Sequence, residues 1–458
     1  MIQGSPGRTR SALILSVLTA VLGYSVFTDG GVPSRSWIIQ SACIGLLGIA
    51  AFSALLSAKG NLCDPVELPR ALSLPLILLS AYLLVQIIPL PVSFLTLLSP
   101  ARAELLKSLD PVAPASGFAA LTVGPYATVA ALLQMVAYII VFLLVREALL
   151  GLMEYPWAVA APIITLGILE ALIGLVQNAA DPTATFIRGT YVNRNHFAGF
   201  LEMCLPFAAV SSWALYRRLR SGTATPFKIG VVLCLVGAGG AAMMFAVLRS
   251  LSRSGFLAAE VSLLIVVVLL ARARSYTLSF GAGLGLITLF LLAGLSSSRL
   301  LNRYAELFSE HWQSDIRLQL WKATLHLISS FPVFGCGAGN FESTFHRYNP
   351  YGNFTVDFAH CDYLQALAEL GVTGFSIVMV FVYAIVRTAL RATSARSPVA
   401  LRDLNVGCVA AFAAILFHSF TDFNLHTPAN AMLLAWIAGM AAVQFGPGQA
   451  QILENQSA

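Results

Sequence analysis

The chain has 458 residues, 58% hydrophobic and only 10% charged, with a mean hydropathy of +0.80 and a formal net charge of +6. Soluble domains carry roughly a quarter charged residues, so this composition excludes an ordinary soluble protein and requires a bilayer. No basic stripe interleaves with aromatics, so no nucleic-acid partner is expected and the positive charge points to membrane lipids.

Apolar runs of about 20 residues, the length that crosses ~30 Å of hydrocarbon, recur from end to end. In chain order they cover approximately 11–27, 37–57, 71–90, 126–145, 157–177, 196–216, 229–248, 254–271, 276–297, 363–386, 403–420 and 429–446. The expectation is an all-α integral membrane protein of about 12 transmembrane helices, forming a single polytopic domain over 1–458. The first run follows Arg8 and Arg10 but lacks a convincing small-residue cleavage site, so it reads as a retained helix. With the N-terminus in the cytoplasm, Arg217, Arg218, Arg220, Lys228, Arg387, Arg391 and Arg402 fall inside, as the positive-inside rule prefers. Slightly more than half of the 27 basic residues then lie inside, and both termini are cytoplasmic.

Two stretches interrupt this pattern on the outer side. Residues 91–125 form a moderate loop, and 298–362 a large one with structure of its own. Within the latter, DIRLQLWKATLHLISSFP (315–332) has the period of an amphipathic helix, with Ile316, Leu320, Leu327 and Phe331 on one face. Asp315 suits the dipole at its start, and Arg317 and Trp321 share another face. Pro332 and the glycines of FGCGAGNF (334–341) end it. Those glycines superficially resemble a phosphate loop, but the Lys-Ser/Thr of a nucleotide site is missing, and a tight turn is expected.

Polar residues gather at the outer ends of the spans, each open to a functional and a structural reading. In RGTYVNRNHFAGF (188–200), Arg188 and Arg194 read as interfacial anchors, with Asn193 and Asn195 capping the helix, or as an anion site at a helix N-terminus. In RSLSRSG, Arg249 and Arg253 share a face if the helix continues, and a pyrophosphate would relieve their repulsion; the structural reading is an anchor with caps from Ser252 or Ser254. Arg317, if exposed, reads as an ordinary solvated charge. In AHCDYLQALAELGVTG (359–374), His360 is flanked by Asp357 and Asp362, either of which could orient its ring, and a neutral imidazole can accept a hydroxyl proton. In FHSFTDFNLHTP, the i, i+4, i+8 spacing of His418, Asp422 and His426 resembles a metal face, but Asn424 and Pro428 argue that the helix ends first. Packing, or support of the site by Asp422, is expected instead, with no metal. Cys336 and Cys361 both fall outside and are able to pair, although two small buried thiols are the commoner outcome.

Taken in order, GTYVNRNHFAGFLEMCLP, LSRSG, RLQLW…FPVFGCGAGNF, AHCDYLQALAELGVTG and FHSFTDFNLHTP resemble the O-antigen ligase and O-antigen polymerase superfamily over roughly 188–440. The resemblance implies a C-type glycosyltransferase fold with a long periplasmic loop, in the bacterial inner membrane. It implies transfer of a glycan from undecaprenyl pyrophosphate to a sugar hydroxyl, with a glycan or lipid A-core acceptor, for lipopolysaccharide or exopolysaccharide. No cofactor is implied, and a chain-length regulator is a possible partner. Arg253 and Arg317 match the family's pyrophosphate-binding arginines. His360 matches its catalytic histidine: nine residues separate position 361 from Gly371, and Gly374 closes the motif. Position 361 is Cys where the motif has Asn, Ser or Gln. The competing class is a transporter or flippase of lipid-linked glycans, which would show internal repeats and charged or broken helices near mid-membrane. The sequence displays neither.

Overall fold

The computed structural model describes residues 6–57, 67–111, 117–181, 183–222, 225–271, 285, 316–352, 355–394 and 397–443. The described residues are almost entirely helical, and ten of the helices are long and apolar enough to cross a membrane. These are α1 (Pro6–Phe27), α2 (Ser34–Ser57), α3 (Arg70–Ile87), α6 (Pro125–Gly151), α7 (Trp157–Ala180), α8 (Arg194–Arg220), α9 (Pro226–Arg249), α10 (Arg253–Ala271), α13 (Asp362–Ala392) and α14 (Val399–His418). Shorter helices are α4 (Val92–Leu98), α5 (Pro100–Leu109), α11 (Ile316–Ser330), α12 (Phe341–Phe345) and the apolar α15 (Pro428–Ala441). Eleven of the expected spans therefore coincide with helices, the last by a helix of only 14 residues. The twelfth, 276–297, lies outside the described residues (Gly285 apart), as does all of 298–315, Asp315 included. The protein is a multi-pass membrane protein.

Helices α8 and α14 form the centre. They are buried over most of their length, whereas α2 presents most of its surface outward. Helix α8 packs on α9, α10 and α14, and α15 packs on α6. Without a hydrophobic drive between helices in lipid, close packing has to hold them, and small residues permit it. Gly407 of α14 lies against the ring of Phe207 in α8, and Gly439 of α15 lies against the Phe142 carbonyl of α6.

Among the described residues, one two-stranded element is not helical. Strands β1 (Pro89–Pro91) and β2 (Phe118–Ala120) pair antiparallel, Pro89 opposite Ala120 and Pro91 opposite Phe118. With α4 and α5, this hairpin fills the loop expected between 91 and 125. Buried Arg102 of α5 donates to the Ala120 carbonyl at 3.3 Å and ties the cap together.

Helix α11 buries Leu320, Ala323, Thr324 and Leu327, and Phe331 follows it into the same cluster with Phe341 and Phe345. Ile316 departs from the expected face and is 49% exposed, because the first turn extends past the cluster.

The long helix α13 is broken at Gly371, whose backbone (φ 58°, ψ −176°) belongs to a region open essentially to glycine alone. A break frees N–H and C=O groups that the bilayer cannot satisfy. Segment 332–337 replaces the lost bonds. Val372 and Thr373 donate to the carbonyls of Pro332 and Val333, while Cys336 and Gly337 donate to those of Ala368 and Glu369. The Tyr82 hydroxyl and the Gln86 amide of α3 reach the Phe334, Glu369 and Leu370 carbonyls from the other side. The expectation of no broken helix is therefore corrected. The break stands nine residues into a 31-residue helix and is sealed by the chain itself.

The FGCGAGNF segment is the tight turn expected, with Gly335, Gly337 and Gly339 all at positive φ. Its amides are directed at an anion, but the anion is internal. Glu369 accepts from Gly339 N at 2.7 Å and from Phe341 N at 3.4 Å, and the Gln365 amide bonds it at 3.2 Å. A loop whose nest of N–H groups already holds a carboxylate has no vacancy for a phosphate.

Candidate active site at one end of the helix bundle

The starts of α8, α10 and α13 and the end of α14 meet at one end of the bundle. Asp362 N, which opens α13, donates to the Ser419 and Asp422 carbonyls at 2.9 and 3.1 Å. That docking sets His360 beside Asp422. His360 itself is left-handed (φ 51°), a conformation rare for a residue with a Cβ. The Trp321 indole, donating to the His360 carbonyl at 3.3 Å, holds it there. Trp321 and Arg317 thus share a face as their spacing requires, and both are directed at this site.

Asp422 is the centre. It is fully buried beyond the end of α14. One carboxylate oxygen accepts from the Asn195 side-chain amide and faces Arg317 Nη2 at 3.5 Å. The other accepts from Phe423 N at 2.9 Å and faces His196 Nε2 at 3.6 Å and His360 Nδ1 at 3.8 Å. Burial alone would push this carboxyl up. The two imidazoles and the Arg317 charge outweigh it and hold Asp422 well below the usual carboxylate range. The imidazole nitrogens stand just beyond hydrogen-bond length, so their hold is chiefly electrostatic. Phe423 wedges between the two histidines, edge-on to His196 at 4.5 Å and to His360 at 4.8 Å, and Phe358 stacks on its face at 4.2 Å. His360 Nδ1 is buried against Asp422, while the side chain keeps 34% exposure.

The flanking acids behave differently from expectation. Asp357 is exposed and has no bond to His360. Asp362 turns away, accepting from Ser419 Oγ at 2.8 Å and lying 3.1 Å from His426 Nδ1. The reason is the helix start. Residue 362 is the first of α13, and its side chain points back over the turn that docks on 419–426. The acid beside His360 is therefore Asp422, 62 positions along the chain. The three residues spaced i, i+4, i+8 also separate, because α14 ends at His418. His418 pairs with Glu202 at 2.9 Å, Asp422 serves the cluster above and His426 pairs with Asp362. Among the described residues no group of three or more His, Cys, Asp or Glu is placed to hold a metal ion.

Burial lowers the His426 pKa, but the hydrogen bond and charge of Asp362 more than offset it and leave it above the ordinary value. A raised folded pKa contributes stability that is complete below about 6.5 and lost as pH rises through the folded value. Thermal stability of the purified protein should therefore fall as pH is raised above neutrality. His426→Gln should remove that component, and a variant with an unchanged pH slope would show that the pair is not its origin.

Of the arginines, Arg317 joins Asp422. Arg253 opens α10 two residues before Gly255, which lies against Ala198 of α8 and His418 of α14, so it stands at the same end of the bundle. It has no hydrogen bond or ion pair among the described residues. Arg249 does not continue a helix with Arg253. Helix α9 ends at Arg249, Leu251 is left-handed (φ 55°), and Ser252 Oγ caps α10 through Gly255 N. Arg249 instead bonds Asn178 of α7. Arg194 lies over the Phe186 ring at 4.6 Å, and exposed Arg188 donates to the Val192 carbonyl at 3.0 Å. Asn193 caps α8 as expected, whereas Asn195 is drawn to Asp422. Cys336 and Cys361 are both free and buried, so they form no disulfide. Cys361 occupies the N-cap of α13 without a side-chain cap bond, at a position where Asn or Ser would supply one.

The residues that sequence reasoning missed are His196 and the wedge Phe423. His196 Nδ1 shares a 2.8 Å hydrogen bond with Thr427 Oγ1, and its carbonyl accepts from the Asn430 amide at 3.0 Å. The available signal was two polar clusters, NRNH and FTDFNLHT, each at the mouth of a span.

Residues 238–379 match the family model described as O-antigen ligase. A match over that segment supports membership in the O-antigen ligase/polymerase superfamily. The match includes Arg249, Arg253, Arg317, His360 and the broken-helix glycine Gly371. It covers a little under a third of the chain and stops short of Asp422, so it is narrower than the 188–440 of the sequence resemblance. No curated protein matches the chain. The match supports an O-antigen ligase/polymerase-type membrane enzyme, a family that implies lipid-linked glycan and acceptor substrates in general.

Proposed function

We propose that the protein is an inverting glycosyltransferase, joining a glycan carried on undecaprenyl pyrophosphate to an acceptor sugar hydroxyl at the periplasmic face of the inner membrane, with both termini cytoplasmic. The observation that carries this reading is the pairing of a part-exposed His360 with a buried, ionised Asp422 that also receives Arg317. Asp422 would hold the proton on His360 Nδ1, leaving Nε2 as the base. A closing movement of about 1 Å would turn the 3.8 Å approach into a hydrogen bond.

In the reaction, the acceptor hydroxyl attacks the anomeric carbon and its proton passes to His360 Nε2. The sugar–phosphate bond breaks with its electron pair on the pyrophosphate, whose growing charge Arg253 and Arg317 meet with charge-assisted hydrogen bonds. Attack opposite the leaving group inverts the anomeric centre. Asp422 aims Arg317 as well as His360, so the base and the leaving-group clamp are set by one carboxylate.

The test is a deletion strain complemented with wild type or His360→Ala, with surface polysaccharide and lipid-linked glycans analysed together. His360→Ala should lower transfer by about 10²–10⁴-fold at equal protein level. Accumulated long lipid-linked chains would identify a ligase and single repeat units a polymerase. Full restoration of surface polymer by His360→Ala would sink the enzyme reading. Arg253→Lys and Arg317→Lys should each lower transfer by roughly 10²-fold, since an ammonium cannot reproduce a two-pronged contact. Near-normal product from both would remove the clamp.

A further inference from the structure

A second cleft, of about 580 Å³, opens at the same end of the bundle, between the end of α1, the end of α7 and segment 184–191. Its polar wall carries Asp29, Gln177, Asn178, Asp181 and Arg188, and the rings of Phe27 and Phe186 stand beside them at 40% and 39% exposure. We propose that this cleft is a saccharide subsite, holding sugar units of a glycan whose reacting end lies at His360; the proposal rests on the glycosyltransferase reading above.

The chemistry of the wall selects the ligand. Two carboxylates disfavour a phosphate or other anion, and a guanidinium among them disfavours a cation. A neutral polyhydroxyl compound needs acceptors and donors side by side, and both are present. Asp181 is kept below the usual carboxylate range by the Thr183 hydroxyl and amide, so it stays an acceptor. Gln177 spends its amide nitrogen on the Gly189 carbonyl at 2.9 Å, which leaves its oxygen as an acceptor. Asn178 spends its oxygen on Arg249, which leaves its nitrogen as a donor. Exposed aromatic rings at such a wall suit the apolar C–H faces of a sugar.

The cleft is also rigidly joined to the candidate active site. Buried Glu170 accepts from Thr190 N at 2.7 Å and fixes the floor of the segment. Tyr191, which lines the cleft, bonds Asn430 at 3.1 Å, and Asn430 bonds the His196 carbonyl. Tyr191 is only four positions from Asn195, the partner of Asp422, a span of at most about 14 Å. An oligosaccharide can bridge that distance, and a single sugar cannot fill both places. The segment 188–196 then has a role at each end, glycan at Arg188 and reaction centre at Asn195 and His196.

The test uses the full-length protein in lipid nanodiscs, in wild-type and His360→Ala forms, each with and without Arg188→Ala plus Asp181→Ala. Both substituted residues are exposed, so the fold should persist. The probes are two free oligosaccharides, one released by mild acid from the lipid-linked glycan that the deletion strain accumulates and one cleaved from its unextended acceptor. Saturable binding of one probe, kept in His360→Ala and weakened at least tenfold by the double substitution, is the expected result. The probe that binds identifies the donor or acceptor glycan as the occupant. Binding that survives the double substitution, or no binding of either probe by wild type, overturns the subsite. The enzyme reading stands or falls separately, on transfer by His360→Ala in cells.

Discussion

Asp422→Asn is expected to lower glycan transfer by roughly 10³–10⁴-fold while the protein still reaches the membrane. Removing the orienting acid of a histidine base costs about that much elsewhere, because the ring loses its tautomer and its orientation. Here the same charge also holds Arg317 and faces His196, so base and clamp are lost together. Asn keeps the shape and can still accept from Asn195, which separates the loss of charge from the loss of packing. Asp422→Ala should do more, since breaking a buried ion pair by removing one partner costs about 3–5 kcal/mol. The measurement is transfer per unit of membrane protein, with thermal unfolding in parallel. Transfer by Asp422→Asn above a tenth of wild type would show that Asp422 does not act through His360. The depressed pKa of Asp422 gives a further sign: its contribution to stability is present above the ordinary carboxylate range and is lost as pH falls through the folded value.

Gly371→Val should prevent accumulation of folded protein. Gly371 has φ 58° and ψ −176°, and a Cβ there would collide with the carbonyl group of Val333 and lie 2.5 Å from Gly335 N. The colliding atoms are backbone, so no side chain can swing aside. Strain of this kind costs about 1–3 kcal/mol from the dihedrals alone, before the clash and the lost bonds to segment 332–337 are counted. Gly371→Ala should be milder in sterics but strained in the same sense. Detergent-solubilised protein followed by size-exclusion profile would report the outcome. A normal monodisperse peak from Gly371→Val would mean that α13 can run unbroken and that 332–337 is not needed to seal it.

These two residues show different limits of the sequence. Gly371 was legible as part of a spaced motif, but its reason was not. The break becomes intelligible only with segment 332–337 folded against it and with Tyr82 and Gln86 supplying bonds from α3. Likewise FGCGAGNF was legible as a turn, yet that Glu369 fills its ring of amides depends on residues about 30 positions away.

By itself the sequence determined the membrane class, the spans it shares with helices, the amphipathic α11 and the common face of Arg317 and Trp321. All of these follow from local periodicity, which a helix converts directly into faces and lengths. It also ordered five motifs that resemble the O-antigen ligase/polymerase superfamily, three of which lie within the matched residues 238–379. Only the tertiary structure decided which acid serves which histidine. The nearest acids in sequence, Asp357 and Asp362, are exposed or turned to His426, while Asp422 reaches His360, His196, Arg317 and an asparagine 227 positions away. Such choices depend on which helix ends meet, and on a buried charge collecting every donor within reach because burial without partners would cost too much.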